Sequence, residues 1–524
     1  MDRMNPNDYD RVAYPTMAHP QTFVEGLAVK ALLRGMNPTP PSRARVLELG
    51  CGDGFNLAAM AALNPEASYT GIDYSASTIE RGRAMMEELK VPQVRLEAAD
   101  IRSLDPAFGE FDYIIAHGVY SWVPEAVRNA VLATISRHLS PHGVAFVSYL
   151  ALPGAYLREM VRTMVRFHTR AETGVREKTA QSRVLMQLLA SATDTPNVYT
   201  QWVKTEAKLL EHHSDEAFFH DELSEESKPL LFVEFLEHAN RHGLRFLCEA
   251  EYITPVAQRL TEQARAQLKP LEANRVLLEQ YLDFIEGRRF RQTLLCRPGL
   301  GENLAPGKLD QLFVAARAKP VSSSTELTSP EALELRGQKN AFISAITPLE
   351  KATLLELVAE RGGSLPFLDL LSRVRFRLSN AGIALTPEDE TKLRLYIIRA
   401  AVPGMIEISW SRSLQAVDVP ERPRAHPFSG WSLERGAPAV FSYLGQFVEV
   451  DGALGRQLLK LLDGTRDRVA LLQEIREFLA QQSALPPVTD APKLPSADAT
   501  DLAAQLDKSL VGLTELGLIA RESS

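Results

Sequence analysis

Cysteine is scarce: Cys51, Cys248 and Cys296 are the only three in 524 residues. So odd and sparse a set excludes a disulfide framework and points to a reducing compartment. Long apolar runs are also missing. The most apolar stretch, Val144 to Leu157, is interrupted by Ser148, Pro153 and Gly154 and is too short to span a bilayer. The opening MDRMNPNDYDRVAYPTMAHP has no continuous apolar core, so no signal peptide is expected and the expected location is the cytoplasm. A basic excess is absent too. The 58 Lys and Arg face 66 Asp and Glu, a formal charge of −8, which does not suit a nucleic-acid-coating protein.

What is present is the composition of a folded chain with a sizeable core. Hydrophobic residues make up 45% and charged residues 24%, which excludes a mostly disordered or collagen-like protein. The length suggests about three or four domains. Residues 45–149 alternate short β-rich runs with amphipathic stretches. Strands are expected at Arg45–Leu49, Ser68–Asp73, Val94–Ala98, Phe111–Ala116 and Gly143–Tyr149. Ser75 reads as the N-cap of a helix running to about Leu89, and Pro124 opens another that ends near Leu139. Strand and helix alternating at this spacing predict a parallel sheet covered on both faces.

After Pro153-Gly154 the pattern turns helical and charged to about residue 230. A helix at Phe232–Arg241 and strands at Leu244–Glu251 and Arg291–Arg297 then read as a return to the first sheet, which makes 155–230 an insertion. Ala318–Ala332 and Val417–Pro427 have linker composition. Helices near 349–361, 366–374 and 388–401 lead to a strand at Met405–Trp410. Beyond the second linker, helices near 453–462 and 467–482, a proline-rich loop and a helix at 500–515 lead to Gly517–Ala520. These suggest a pair of small winged-helix-like modules.

The chemistry is concentrated after the first strand, in Glu48-Leu49-Gly50-Cys51-Gly52-Asp53-Gly54. Glycines at alternate positions let the backbone turn tightly and approach a ligand without Cβ clashes. Asp73, nineteen residues after Gly54, ends the second strand, where a carboxylate can accept hydrogen bonds from both ribose hydroxyls. A dinucleotide fingerprint would need glycine at 55, but Phe55 stands there. The acid followed by G-x-G-x-G is instead the form associated with S-adenosylmethionine (AdoMet). Asp100, ending the third strand, is placed for an adenine amino group. An NAD-type site, or a glycine turn without ligand, are the alternatives. A second constellation, Phe111-Asp-Tyr-Ile-Ile-Ala-His-Gly-Val-Tyr-Ser-Trp-Val-Pro124, runs off the edge where open α/β sheets bind ligands. His117, Tyr120 and Trp122 are expected to face the methyl group. The alternatives are core packing for the two aromatics and a satisfied buried histidine for His117.

With ELGCG, GIDYS, AAD and AHGVYSWVP in place, the chain resembles the class I methyltransferases that carry a methyltransferase regulatory domain, among them the rickettsial protein lysine methyltransferases that modify outer-membrane proteins. The likeness extends to Tyr9-Asp10, Tyr14-Pro15, Phe219-His220-Asp221-Glu222-Leu223, Gly243-Leu244 with Glu249-Ala250-Glu251, Phe290–Cys296 and Leu462–Arg468, and is weakest over 155–210 and 300–420. It implies AdoMet as cofactor. Glu48, Gly50, Gly52 and Gly54 would form the first loop, Asp73 would hold the ribose, and Asp100 with Ile101 would line the adenine. His117 and Gly118 would sit by the methionine portion. Tyr9, Tyr14 and His19 would belong to an N-terminal arm that closes over the cofactor, the alternative being a mobile tail. The insertion would supply a homodimer contact.

A lysine acceptor must lose a proton before it can attack a sulfonium carbon. With an ordinary pKa near 10.4, only about one amine in two or three thousand is neutral at pH 7. A partly desolvated aromatic pocket lowers that pKa, and Tyr120, Trp122 and Tyr149 could build its walls. His117 is the first candidate for a general base. The sequence has no Asn-Pro-Pro-Tyr loop for planar nitrogens and no paired-glutamate loop of the arginine type. No metal site is expected: His238 and His242 lie four apart on a helix, without a third ligand at suggestive spacing.

The expected fold class is α/β: a Rossmann-like class I methyltransferase sheet with a helical insertion, followed by mostly helical, winged-helix-like C-terminal domains. The expected division is 1–154 for the AdoMet-binding part with its arm, 155–230 for the insertion and 231–300 for the last two strands. Residues 301–418 and 419–524 form the two modules. The expected function is methyl transfer from AdoMet to lysine amines of a protein substrate, with an outer-membrane or surface protein as the acceptor the resemblance suggests. No nucleic-acid partner and no membrane-embedded part are expected. A natural-product methyltransferase and an AdoMet-binding regulator without catalysis are the alternatives.

Overall fold

The computed structural model describes residues 12–192, 195–252, 260–321, 325–337, 341–483 and 501–522. These fall into two compact units, divided between Asn303 and Leu304.

In the first unit the apolar runs form one seven-stranded sheet. Its strands are β1 (Arg45–Leu49), β2 (Ser68–Asp73), β3 (Val94–Ala98), β4 (Phe111–Ala116), β5 (Leu139–Leu150), β6 (Arg245–Glu249) and β7 (Phe290–Cys296), in the order β3-β2-β1-β4-β5-β7-β6. The first five pair in parallel, and β7 runs antiparallel to both β5 and β6. The central strands are covered on both faces: Leu47, Leu49, Ile114, Ile115, Phe146 and Val147 are fully buried. Burying each such side chain stabilises the fold by about 1.5–3 kcal/mol.

The helices that cover the sheet are α1 (Val24–Leu33), α2 (Phe55–Leu63), α3 (Ala76–Leu89) and α4 (Glu125–His138). Ser75 caps α3 as its position predicts, its Oγ accepting from the Thr78 N–H at 3.2 Å. Helix α4 buries Val127, Val131, Leu132 and Ile135, one apolar stripe at helical spacing. Residues after Gly154 leave the sheet as α5 (Ala155–His168), α6 (Val175–Ser191) and α7 (Val198–Glu211), with a core of their own around Val161, Val165, Met186, Val203 and Phe218. A π-helical turn, Phe219–Leu223, follows. The chain returns through α8 (Phe232–Arg241), which lays Phe232, Phe235, Leu236 and Ala239 on the sheet, and then through α9 (Arg275–Glu286) to β7. That return is tied by Arg291. Its fully buried guanidinium pairs with Glu249 (2.6 Å), Asp283 (2.8 Å) and Glu279 (2.9 Å), and lies over the Phe232 ring at 3.8 Å.

The second unit begins with β8 (Phe313–Ala316), β9 (Ala318–Pro320), β10 (Leu333–Gly337) and β11 (Phe342–Ala345). It continues through α10 (Pro348–Ala359), β12 (Leu365–Pro366), α11 (Phe367–Asn380), α12 (Pro387–Ala401) and β13 (Ile406–Ser409). Strand β8 lies between β12 and β13, while β9, β10 and β11 form a second small antiparallel sheet. The stretch expected as linker at 318–332 therefore contributes β9. Its pairing with β10 comes from tertiary register that composition does not carry. The remainder is α13 (Phe428–Glu434), a hairpin of β14 (Ala439–Phe441) and β15 (Phe447–Glu449), α14 (Ala453–Leu461), α15 (Arg468–Ser483) and α16 (Leu502–Glu515). These pack as a winged-helix module around Leu433, Val440, Leu458, Leu471, Ile475, Leu510 and Leu518. Helix α13 and the hairpin lie where no element was expected. The proline-rich loop lies outside the described residues. Among the described residues no helix is long and apolar enough to cross a membrane.

Candidate active site

The glycine turn sits at the carboxyl edge of β1. Gly50, Gly52 and Gly54 all have positive φ, at 71°, 56° and 77°. A Cβ on Gly50 would collide with Val119 and one on Gly54 with Leu96, so these two need glycine for packing as well as for conformation. Gly52 differs: a Cβ there would meet nothing within 4 Å, so its backbone faces open space. The turn is pinned to β2, with the Gly50 and Cys51 N–H groups donating to the Ile72 carbonyl at 2.8 and 3.0 Å. Asp73 completes it. One carboxylate oxygen accepts from the Gly52 N–H at 3.0 Å and the other from the Ser75 N–H at 2.9 Å.

Asp100 ends β3 and caps the short turn of Ile101–Ser103. Arg102 clasps its carboxylate through Nε (3.0 Å) and Nη2 (2.6 Å), which holds the carboxyl below its ordinary range. Ile101 is half-buried against the core. Gly118 is exposed at the end of β4, and its N–H donates to Ser148 Oγ at 3.0 Å. His117 Nδ1 lies 2.9 Å from the same hydroxyl, and its ring is 4.0 Å from the His19 ring. Burial, with His19 adding to it, takes His117 down to about 3, and burial alone takes His19 down to about 4. Both rings are therefore neutral near pH 7. A ring this reluctant to hold a proton suits hydrogen bonding and shape, and is a poor base for an ammonium group.

The arm approaches the turn from the N-terminal side. Thr16 Oγ1 donates to Asp53, and the His19 N–H donates to Asn56 Oδ1 at 2.8 Å. Asn56 in turn donates from Nδ2 to Glu48 Oε1 at 2.9 Å. Farther out, the His220 Nε2 proton bonds the Val12 carbonyl at 2.8 Å, and the Tyr14 ring is 5.7 Å from the His220 ring. The π-helical turn that carries His220 thus holds the arm. Tyr9 lies outside the described residues.

The structure does not gather the expected aromatic wall. Tyr120 and Tyr149 are each 1% exposed and lie in the core beneath α8. Tyr149 stacks on Phe235 at 4.1 Å and bonds Thr293 Oγ1 at 3.0 Å. Tyr120 bonds His238 Nδ1 at 2.6 Å and meets Phe235 edge-on. The reason is strand alternation: Ser148 points to His117, so its neighbour Tyr149 points to the opposite face of the sheet. Trp122 is also engaged within the protein, with the guanidinium groups of Arg158 and Arg162 over its ring at 5.3 and 5.2 Å. Arg158 pairs with Asp221 and Glu222, so Trp122 joins the loop after β4 to the helical insertion. The phenyl rings beside His117 are instead Phe146, at 5.9 Å and fully buried, and Phe290, at 6.2 Å and 36% exposed. His238 and His242 both approach Asn129 Oδ1, and among the described residues no cluster of three or more His, Cys, Asp or Glu could hold a metal.

Four residues at this site escaped the sequence reading: Thr22, whose hydroxyl accepts from Asn56 Nδ2 at 3.0 Å, Asn56 itself, Ser148 and Phe290. Two carried a signal. Asn56 is a buried polar residue in the otherwise apolar FNLAAMAAL, and Ser148 interrupts the apolar strand VAFVSYL.

The donor set fits a cationic nucleoside. The open Gly52 backbone leaves room for a ligand at the turn, and carboxylates from Glu48, Asp53 and Asp73 surround it without a compensating Lys or Arg in the turn itself.

Comparison with known proteins agrees. Residues 46–143 match the methyltransferase domain family, 214–297 the predicted methyltransferase regulatory domain, and 421–518 the PKMT C-terminal winged helix domain. Uncharacterized protein RP789 of Rickettsia prowazekii (strain Madrid E) is 30% identical over 486 residues, covering 90% of this chain and 85% of that protein. RP028 of the same organism is 34% identical over 246 residues, 47% of this chain and 98% of that one. The structure of PKMT2 from Rickettsia typhi in complex with AdoHcy superposes with a TM-score of 0.83 at 25% identity, covering 97% of this chain and 99% of that chain.

Proposed function

The chain belongs to the AdoMet-dependent class I methyltransferases that carry a methyltransferase regulatory domain and a PKMT winged-helix domain, and from that premise we propose that it methylates lysine side-chain amines of a protein acceptor. The observation that carries this reading is the likeness to PKMT2, a protein lysine methyltransferase by name, along 97% of the chain. A second unit of about 220 residues, in addition to the one that holds the seven-stranded sheet, also suits a macromolecular acceptor better than a small one.

AdoMet, when bound, supplies an electrophilic methyl group on a sulfonium. The chain's own residues then have three tasks. Gly52 and its flanking glycines let the backbone approach the cofactor, Asp73 takes the ribose hydroxyls, and Asp100 with Ile101 borders the adenine. His117 and Gly118, fixed by Ser148, border the methionine portion, and His19 and Tyr14 cover it from the arm. Displacement at the methyl carbon needs the amine in line and water excluded, so positioning supplies most of the rate. The neutral His117 ring orients, and the amine sheds its proton to solvent as it enters the desolvated site beside Phe290.

The experiment is transfer from methyl-labelled AdoMet into soluble and membrane fractions of the host, followed by hydrolysis and amino-acid analysis. Label in a few protein bands, recovered as methyl-lysine, is the expected result. Label confined to small molecules overturns the protein-acceptor reading.

A further inference from the structure

Glu48 stands out among the acids of the cofactor turn because it is only 3% exposed. Its Oε1 accepts from Asn56 Nδ2, while its Oε2 is buried with no hydrogen-bond partner among the described residues. Asn56 cannot turn to serve both oxygens, because the His19 N–H fixes Asn56 Oδ1 on the other side. The groups facing Glu48 are Asp53 from the turn, Asp73 from β2, the Cys51 thiol and the amide of Asn56 from α2, with His19 behind it on the arm. None of these is a cation. A buried carboxylate with an orphaned oxygen and two acids for neighbours lacks the compensation that a buried charge requires.

We propose that Glu48 is the charge counterpart by which this site tells AdoMet from its demethylated product: neutral while no sulfonium is present, ionised when the sulfonium arrives. AdoMet carries one more positive charge than AdoHcy. Binding of AdoMet therefore drives the Glu48 proton to solvent. Methyl transfer removes the sulfonium charge, and Glu48 takes a proton back from solvent as AdoHcy is left in the site. Product loses the attraction that held substrate, which favours its release. In the cofactor-free protein, burial and the neighbouring carboxylates raise Glu48 to about 8, consistent with a neutral group at pH 7. His19 and His117 lie far below that range and the buried Cys51 thiol well above its ordinary value, so they stay neutral throughout and add nothing to the linkage. Glu48 plays this part whichever molecule accepts the methyl group, so its failure would leave the acceptor reading untouched.

The test is calorimetric titration of the full chain with AdoMet and with AdoHcy, at pH 7, in buffers of different ionisation enthalpy. The wild-type chain should release close to one proton with AdoMet and close to none with AdoHcy. The sign follows from a raised pKa in the free state: AdoMet affinity rises with pH, by about tenfold between pH 6 and pH 7, and levels off above pH 8. Glu48→Gln, of the same shape, should abolish both the release and the pH dependence and bring the two affinities together. Equal release with both ligands overturns the proposal on the wild-type chain alone. Release persisting in a folded Glu48→Gln protein, checked by circular dichroism, overturns it too.

Discussion

Asp73→Asn is the sharpest probe of the cofactor turn, because the residue has two duties there. Its carboxylate accepts the Gly52 N–H at 3.0 Å and the Ser75 N–H at 2.9 Å. An amide keeps one acceptor oxygen and turns an NH2 toward the other N–H, so one of the two bonds becomes a donor facing a donor. The charge that would bind the ribose hydroxyls is lost as well. A hydrogen bond to a charged group contributes about 1.5–3 kcal/mol. Losing that much of the ligand interaction weakens AdoMet binding by about 10- to 150-fold, at tenfold for each 1.4 kcal/mol. The assay is calorimetric titration with AdoMet on a protein whose circular dichroism matches wild type. Ser75→Ala is the control: it removes the helix cap, at about 1 kcal/mol of stability, while leaving the backbone N–H that Asp73 binds. Its AdoMet affinity should match wild type. If Asp73→Asn binds AdoMet as tightly as the unaltered chain, the turn does not hold the ribose through this carboxylate.

Two further outcomes follow from the packing. Trp122→Ala removes the ring under Arg158 and Arg162, two contacts of about 0.5–2 kcal/mol each, so limited proteolysis within residues 155–230 should accelerate. Unchanged cleavage would mean that Trp122 does not tie the insertion to the catalytic loop. Arg291→Met removes the cation that Glu249, Glu279 and Asp283 share, leaving Arg288 at 3.3 Å from Asp283 and 3.7 Å from Glu279 as the remaining partner, a loss of about 3–5 kcal/mol. Burial already raises Glu279 and Asp283, and a carboxyl raised in the folded state favours folding at low pH and loses that contribution as pH rises. Scanning calorimetry should therefore show a larger fall in Tm at pH 7 than at pH 5. An equal fall at both would refute the carboxylate account.

The strands that form the catalytic sheet were legible because each is a short apolar run closed by a turn signal, as in RVLEL before Gly50 and FDYIIA before Gly118. The hairpin β14–β15 was not. It is two three-residue strands around Ser442–Gln446, too short for alternation to stand above background. The aromatic residues failed for a different reason. Tyr120, Trp122 and Tyr149 lie close in sequence or at one sheet edge, but closeness along the chain does not say which face a side chain takes.

The sequence by itself determined the glycine turn and the carboxylate that closes it, since G-x-G-x-G and an acid at the end of the next strand are local demands of backbone shape. It also determined that the first five strands run parallel, because a helical crossover between successive strands brings the chain back in the same direction. Only the tertiary structure decided which groups meet around that turn. Glu48, Asn56 and His19 come together across up to 37 residues, and His117 meets Ser148 across 31. Tyr149, one position beyond Ser148, goes to the other side. Those meetings depend on strand register and on the packing of an arm and a helix over one sheet edge, and no local pattern encodes either.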